Sequence, residues 1–459
     1  MTSAIILAAG DGKRMKSSKQ KVCCEVLFKP MLSWVLDACQ NAKIPSANTC
    51  VVISDSPRGV TELLPTGVSS VVQSNRRGTG HAVLCAMDFL KNAVARGVSH
   101  VAVLCGDAPF IDADTLQSAF SFHKAQQNDV TVLTAVLDDP GRYGRIVREQ
   151  RRFTRITEAA DASEQELLID EVNSGAYWFS ISYLISSLPL LGSQNAQGEY
   201  YLTDLVGLAT SSGRRAGAFI CPNPDIALGA NDRRSLATLN HIARDAVLER
   251  HYENGVDIPI ADGVIIGPDV KIGCDTTILP GTILCGSTVI GEGCTVGPNT
   301  RIIDCKIGAD CVIDSARLEK SRIGCDVRIG PFTQVRPHCD IANGVKIGNF
   351  VELKNSTVGE KTSFAHLTYI GDSDFGSRIN VGCGVVTVNY NGREKFRTIV
   401  EDDAFIGCNT NLIAPVQVQK GAYVAAATTV TTDIPPDALA VGRIKQTIYP
   451  GRAIYYRKK

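Results

Sequence analysis

A chain of 459 residues is long enough for two or three domains. Its 47 Lys and Arg balance 47 Asp and Glu, which argues against nucleic acid or an anionic membrane as a bulk electrostatic partner. No run approaches the roughly 18 apolar residues of a membrane span, and Met1 to Leu7 lacks the basic start of a secretion signal.

Ala4 to Ala9 reads as a buried strand that runs into the Gly-rich, basic loop Gly10-Asp11-Gly12-Lys13-Arg14-Met15. Backbone N–H groups and cations in such a loop suit a phosphate, although the spacing is neither a Walker motif nor a dinucleotide fingerprint. Pro30 to Ala42 is predicted helical, Thr49 to Ser54 and Ser69 to Gln73 are predicted strands, and Ala82 to Val94 is predicted as one helix. His100 to Cys105 is a further strand, ending in Gly106-Asp107-Ala108-Pro109. Alternation of this kind implies an α/β domain with a mainly parallel sheet, whose ligands collect at the carboxyl ends of the strands. The loops 10–21, 73–81 and 106–109 all fall there. Asp107 suits a Mg²⁺ ligand if phosphates are near and a turn or helix cap if they are not.

Asn231 to Asn254 reads as a connector helix, with Leu236, Leu239, Ile242, Ala246 and Leu248 as its apolar face. Beyond it the chain steps in sixes. Ile266, Ile272, Ile278, Leu284, Ile290, Val296 and Ile302 keep one phase; Ile323, Ile329, Val335, Ile341, Ile347 and Leu353 resume it after a skip. It returns at Ile406, Leu412, Val418, Val424 and Val430. An aliphatic residue every six, often followed by Gly, is the hexapeptide β-helix pattern: three short faces close a triangular coil, and each aliphatic side chain stacks on the one a coil away. About nine coils would make a prism roughly 45 Å long. The sixteen cysteines include no Cys-x-x-Cys pair and are read as small buried hydrophobes of a reducing cytosol, not as zinc or iron–sulfur ligands.

Leu7-Ala8-Ala9-Gly10-Asp11-Gly12-Lys13-Arg14-Met15, followed by Lys21-Val22, resembles the sugar-nucleotidyltransferase signature. With the hexapeptide half attached, nearly the full length resembles the bacterial bifunctional N-acetylglucosamine-1-phosphate uridylyltransferase/glucosamine-1-phosphate N-acetyltransferase family. The resemblance implies a Rossmann-like nucleotidyltransferase domain over residues 1–230, a linker helix over 231–254 and a left-handed parallel β-helix over 255–459. It implies a cytoplasmic homotrimer that takes glucosamine-1-phosphate and acetyl-CoA, then N-acetylglucosamine-1-phosphate and UTP, with Mg²⁺ and with no nucleic-acid or membrane partner.

Residue by residue, the resemblance implies that Leu7, Ala8, Ala9 and Gly10 hold the nucleotide and that Arg14 and Lys21 contact its phosphates. Gln73, Gly78 and Thr79 match the uracil-reading loop; Gly144, Glu158 and Asn173 match sugar contacts; Asp107 and Asn231 match the Mg²⁺ ligands, Asn231 also counting among the nucleotide-sugar contacts. Gly198-Glu199-Tyr200-Tyr201-Leu202-Thr203-Asp204 is similar to a run of the family. In the second half, Arg336, Lys354, Tyr369 and Asn380 match the glucosamine-1-phosphate pocket. Cys383, Asn389, Tyr390, Lys395, Cys408, Ala426 and Arg443 match acetyl-CoA contacts, Lys395 coming from a loop of a neighbouring subunit. Acetyl transfer to an amine needs a base, and His366, in Ala365-His366-Leu367-Thr368-Tyr369-Ile370-Gly371-Asp372, is the candidate.

The chain departs from the family at Cys23-Cys24, where Leu-His is usual, and at Asn75-Arg76-Arg77, where Glu-Gln-Leu is more frequent. Cys383 stands for Ala and Cys408 for Ser. The basic tail Tyr455-Tyr456-Arg457-Lys458-Lys459 is a solvated end or a contact for the 3′-phosphate of coenzyme A. The competing reading is a single-function sugar-1-phosphate nucleotidyltransferase whose β-helix is structural or regulatory.

Overall fold

The computed structural model describes residues 1–457. Two compact units divide the chain, Met1–Ala243 and Arg244–Lys459.

The first unit is built on strands β1 (Thr2–Leu7), β2 (Thr49–Ser54), β3 (Ser69–Gln73), β4 (His100–Cys105), β5 (Val130–Val136), β6 (Arg145–Glu149), β7 (Arg152–Thr157), β8 (Glu171–Ser180) and β9 (Ala216–Ile220). The sheet order is β9-β5-β8-β4-β1-β2-β3. The pairs β1–β2, β2–β3, β1–β4 and β5–β9 are parallel, and β8 runs antiparallel between β4 and β5. Alternate side chains enter opposite cores: Ile5, Val101 and Val103 pack on one face, and Ala4, Ile6, Ala102 and Leu104 on the other. The helix expected over 82–94 is two helices, Thr79–Cys85 and Met87–Ala95. At Ala86, with ψ 15°, the amide bonds back to Val83 O, three residues away, and the axis restarts.

The long helix Arg233–Glu253 buries Leu239, Ala243, Val247 and His251, a stripe at every fourth position, together with Leu248. Ala246, expected on the apolar face, is exposed: the four-residue repeat turns it outward.

The second unit is the left-handed parallel β-helix. Its three faces are stacks of short parallel strands, and the face from Lys271–Ile272 to Val416–Val418 has nine. Ile265 pairs with Ile283, Val289 with Lys306 and Arg301 with Arg317, so regular coils hold eighteen, seventeen or sixteen residues, and the coil that carries the loop 390–395 holds twenty-five, Asn380 pairing with Phe405. The inward positions continue through the apparent skip as Ile302, Ile307, Ile313, Leu318 and Ile323, all buried. Five-residue steps shorten corners there, and Asp304, Ser315 and Lys320 turn them with positive φ. Ile272, in the outermost coil, is only half-buried because it has a coil on one side alone.

Two residues before several of the inward aliphatic residues sits a small polar residue that serves the next coil. Thr276 Oγ1 accepts from Cys294 N at 3.1 Å, Thr288 Oγ1 from Cys305 N at 3.4 Å, and Cys294 Sγ from Cys311 N at 3.4 Å. Cys294, Cys305, Cys311 and Cys339 therefore stand where Thr and Ser stand in other coils. Cys274 and Cys325, also expected to be buried, are exposed because they lie on outer turns.

Candidate active sites

At the carboxyl ends of β1 and β4, beside the amino-terminal half of the antiparallel β8, lies a cleft of about 230 Å³ lined by Leu7, Thr79, Asp107, Gly144, Glu158, Asn173 and Asn231, among others. Its acidic end is organised by one lysine. The Lys21 ammonium forms an ion pair with Asp107 and donates to Asn231 Oδ1 at 2.9 Å, while Arg14 Nη2 donates to the same oxygen at 3.3 Å. Backbone contacts bring the distant Asn231 there: Ala230 N donates to Asp107 O at 3.3 Å. A carboxylate and an amide oxygen thus converge on one cation position, and both are hard donors of the kind Mg²⁺ takes.

Gly78, with φ 104°, closes the loop 73–79: Gln73 Nε2 donates to Gly78 O at 3.2 Å. A Cβ at Gly78 would lie 2.6 Å from Tyr200 O, so the Gly78-Thr79 loop and the Glu199–Leu202 run approach as bare backbones. Leu202 N donates to Thr79 Oγ1 at 3.1 Å. Ala8 and Ala9 are buried, and Gly10 is exposed with open space around it.

The opposite end of the cleft is set by a bulge in β8 between Asn173 and Ala176, with Gly175 at φ 79°. Asn173 Oδ1 accepts from Gly175 N at 2.9 Å, and its amide donates to Tyr177 OH at 2.7 Å. Burial raises the Glu158 pKa above the usual carboxylate range, against the hydrogen bond of 3.0 Å from Thr203 Oγ1. Cys105 lines this end as well. Burial and, next, the Asp107 charge push its thiol up to about 12, so it is held as a neutral donor to Gly175 O at 3.4 Å. The sequence departure Cys23-Cys24 is buried beside Lys21, and burial pushes Cys23 up to about 11.

In the prism, Arg336, His338, Lys354, Asp372, Lys395 and Arg397 line a cleft of about 640 Å³. Arg336 Nη1 lies 2.9 Å from Glu352 Oε1. Lys395, on the exposed loop 390–395, returns over its own chain's Lys354, and the two ammonium groups hold Lys354 below its usual range. Asp372 accepts from Asn355 Nδ2 at 2.6 Å and from the Asn389 amide. Burial raises the Asp372 pKa, but these amides and Lys354 outweigh it and leave the carboxyl below its usual range. The Tyr369 hydroxyl stands 2.5 Å from where a Cβ of Gly371 would be, so only Gly fits beneath it. Tyr369 and Asn380 are not among the residues lining this cleft: Asn380 lies on a different face, paired in register with Ser363.

His366 is exposed at a corner of the prism, outside that cleft. Its Nδ1 lies 2.6 Å from Asn349 Oδ1, its register partner one coil away. An amide oxygen only accepts, so Nδ1 donates in this pair and Nε2 is left outside it. The ladder Phe364–Val381–Ile406–Val424 carries the column onward: two residues after each stand His366, Cys383, Cys408 and Ala426. Arg443 Nη1 donates to Ala426 O at 2.9 Å. Four residues scattered over sixty positions of sequence therefore form one edge of the prism. Tyr390 is exposed on the neighbouring loop. Residue typing missed Asn349, Asp372 and Cys105; stepping one coil back from His366 is the signal that finds Asn349. Of the tail, Lys458 and Lys459 lie outside the described residues; Tyr455, Tyr456 and Arg457 are exposed.

Residues 4–171 match the MobA-like NTP transferase domain family, and residues 269–303 and 320–355 match the bacterial transferase hexapeptide (six repeats) family. Fold and donor sets together define a nucleotidyltransferase joined to a hexapeptide-repeat transferase. Over 445 residues the chain is 44% identical to the bifunctional protein GlmU of an Exiguobacterium species, covering 97% of each chain. It is 43% identical over 450 residues to that of Clostridium acetobutylicum, covering 98% of this chain and 97% of that one. A Geobacillus relative is 45% identical over 444 residues, 96% of this chain and 95% of its own. The chain belongs to the bifunctional GlmU family.

Proposed function

We propose that this chain makes UDP-N-acetylglucosamine in two steps: acetyl transfer from acetyl-CoA to glucosamine-1-phosphate, then uridylyl transfer from UTP to N-acetylglucosamine-1-phosphate. The observation that carries the two-step reading over a lone nucleotidyltransferase is the His366–Asn349 pair at 2.6 Å, which leaves a free imidazole nitrogen at the foot of the Cys383–Cys408–Ala426 column.

In the acetyl step, His366 Nε2 takes the proton from the substrate ammonium, and the freed amine attacks the thioester carbonyl lying along the column. The tetrahedral adduct collapses with departure of the coenzyme A thiolate, which takes up a proton. Arg336, Lys354 and Lys395 supply cations for the sugar phosphate. Tyr369 orients the sugar, and Asn389, Tyr390 and Arg443 hold the donor; Asn380, on another face, takes no part at this cleft. Direct attack of the amine on the thioester asks for no covalent part from the thiols of Cys383 and Cys408.

In the uridylyl step the sugar-1-phosphate oxygen attacks the α-phosphorus of UTP in line, and pyrophosphate leaves. Leu7 to Gly10, Gln73, Gly78 and Thr79 hold the nucleoside; Gly144, Glu158 and Asn173 hold the sugar. Asp107 and Asn231 would hold Mg²⁺, which supplies charge neutralisation at the phosphates when bound. Arg14 and Lys21 neutralise the same charge from the protein side.

On this reading residues 1–230 carry uridylyl transfer, 231–254 connect, and 255–459 carry acetyl transfer. The protein works in the cytoplasm; among the described residues no helix is long and apolar enough to cross a membrane. It assembles as a homotrimer. Phe332, Phe350 and Leu367 support this: they stack on successive coils as an exposed apolar column, each in the left-handed backbone region.

The test follows thiol release from acetyl-CoA with glucosamine-1-phosphate, and pyrophosphate release from UTP with N-acetylglucosamine-1-phosphate. His366→Ala should abolish the first and leave the second; Asp107→Ala should do the reverse. Unchanged acetylation in His366→Ala, or loss of both activities in Asp107→Ala, refutes the assignment.

A further inference from the structure

The loops that leave β1, β2 and β3 meet at the carboxyl edge of three neighbouring parallel strands, and one guanidinium joins them. Arg76 Nη1 forms an ion pair with Asp11, inside the Gly10-Asp11-Gly12 turn, and Nη2 lies 3.7 Å from Asp55 Oδ1, the residue after β2. The strands are in register there, Leu7 beside Val52 and Ser54 beside Gln73, so the cluster is fixed by the sheet itself. About a third of the Arg76 side chain is open to solvent.

The position is electrostatically unusual. A Gly-rich turn at a strand end presents its amides to an anion, yet this one carries a carboxylate, Asp11. Left alone, Asp11 and Asp55 would repel a polyphosphate from the mouth of the cleft. Arg76 screens both. A guanidinium exchanges carboxylate for phosphate oxygens readily, because either anion fits its planar fork. Arg14 and Lys21 are committed at the other end of the loop, to Asn231 and Asp107.

We propose that Arg76 is a further recognition residue for the nucleoside triphosphate. It rests on Asp11 and Asp55 in the free enzyme and transfers to the β- and γ-phosphates when UTP enters. The inference builds on the uridylyltransferase reading of the first unit. It deepens that reading by assigning the leaving pyrophosphate a cation of its own.

The two partners of the ion pair make opposite predictions. In the full-length protein, Arg76→Gln should raise the KM for UTP, and the KM for pyrophosphate in the reverse reaction, by about fivefold to tenfold. The KM values for N-acetylglucosamine-1-phosphate and UDP-N-acetylglucosamine, which lack the departing phosphates, should stay within twofold. Asp11→Asn, which removes the competing carboxylate, should lower the KM for UTP. Thermal melting of both variants reports folding separately. KM values for UTP and pyrophosphate unchanged in Arg76→Gln overturn the proposal. So does a rise in the KM for UTP in Asp11→Asn, since the pair would then be a structural strap. Wild-type protein that releases no pyrophosphate from UTP would instead remove the underlying uridylyltransferase reading.

Discussion

Lys21 Nζ donates to Asn231 Oδ1 at 2.9 Å across 210 positions of sequence, and the same ammonium pairs with Asp107. The two oxygens proposed for Mg²⁺ are thus already neutralised by a protein cation. On the proposed reading a metal and the lysine would compete for one place, and incoming phosphates would draw the lysine out.

Removing that competitor should expose the metal site. Lys21→Gln is expected to bind Mn²⁺ without nucleotide about tenfold more tightly than wild type, since a unit charge a few ångström away is deleted. The same variant should lose uridylyl transfer. Paramagnetic titration with Mn²⁺ alone measures the first effect independently of turnover; equal affinities in the two proteins would contradict it.

Asn349 should act on acetylation through His366. Asn349→Ala removes the acceptor that keeps the proton on Nδ1, so the wrong tautomer becomes populated. A fall in acetylation kcat of about tenfold to hundredfold is expected, with little change in KM and none in pyrophosphate release. His366→Ala should fall further, and the double variant no further than His366→Ala.

Acid should loosen both units in a defined window. His123 is fully buried, with Nδ1 2.9 Å from Thr131 Oγ1 and Nε2 3.2 Å from His100 Nδ1; burial, and next His100, push it down to about 4. Its folded pKa lies below the unfolded value near 6.5, so between the two the unfolded chain binds the proton and the native chain does not. The native state is therefore favoured fully above pH 6.5 and loses up to roughly 3 kcal/mol as pH falls toward 4. His251, in the second unit, is also pushed down to about 4 by burial, and neither ring nitrogen has a hydrogen-bond partner among the described residues. His251→Leu should therefore raise stability at pH 7 by about 1 kcal/mol and more at pH 5. Denaturant melts at pH 5 and 7 check this; a destabilised His251→Leu at both would contradict it.

The prism thiols should be replaceable by hydroxyls. Cys294 and Cys311 occupy corner positions filled by Thr276, Thr288 and Thr300 elsewhere, and the amide that Cys294 Sγ receives would find a better acceptor in oxygen. Cys294→Thr and Cys311→Thr are expected to change stability by less than about 0.5 kcal/mol. Cys294→Val, which leaves the Cys311 amide unsatisfied, should cost about 1–2 kcal/mol in the same melts.

What the sequence determined by itself is what depends on near neighbours in the chain. The six-residue period fixes which side chains face inward, because every coil repeats the same local geometry; Ile266, Ile278 and Leu284 need no distant information to be buried. The strand–loop alternation likewise places the loops 10–21, 73–81 and 106–109 at one edge of a parallel sheet. The tertiary structure decided which of those residues meet. Corner length sets the register from coil to coil, and shortened steps such as Ile302 to Ile307 change it, so only the folded prism puts Asn349 under His366 and aligns Cys383, Cys408 and Ala426 above it. The resemblance groups Asn380 with Arg336 and Lys354, yet the coil turns it to a face away from both. In the α/β unit, Lys21, Asp107 and Asn231 come from three distant segments, and Arg76 reaches Asp11 across a loop. Such contacts arise from chain closure over long separations, for which a one-dimensional pattern of residue types holds no distance.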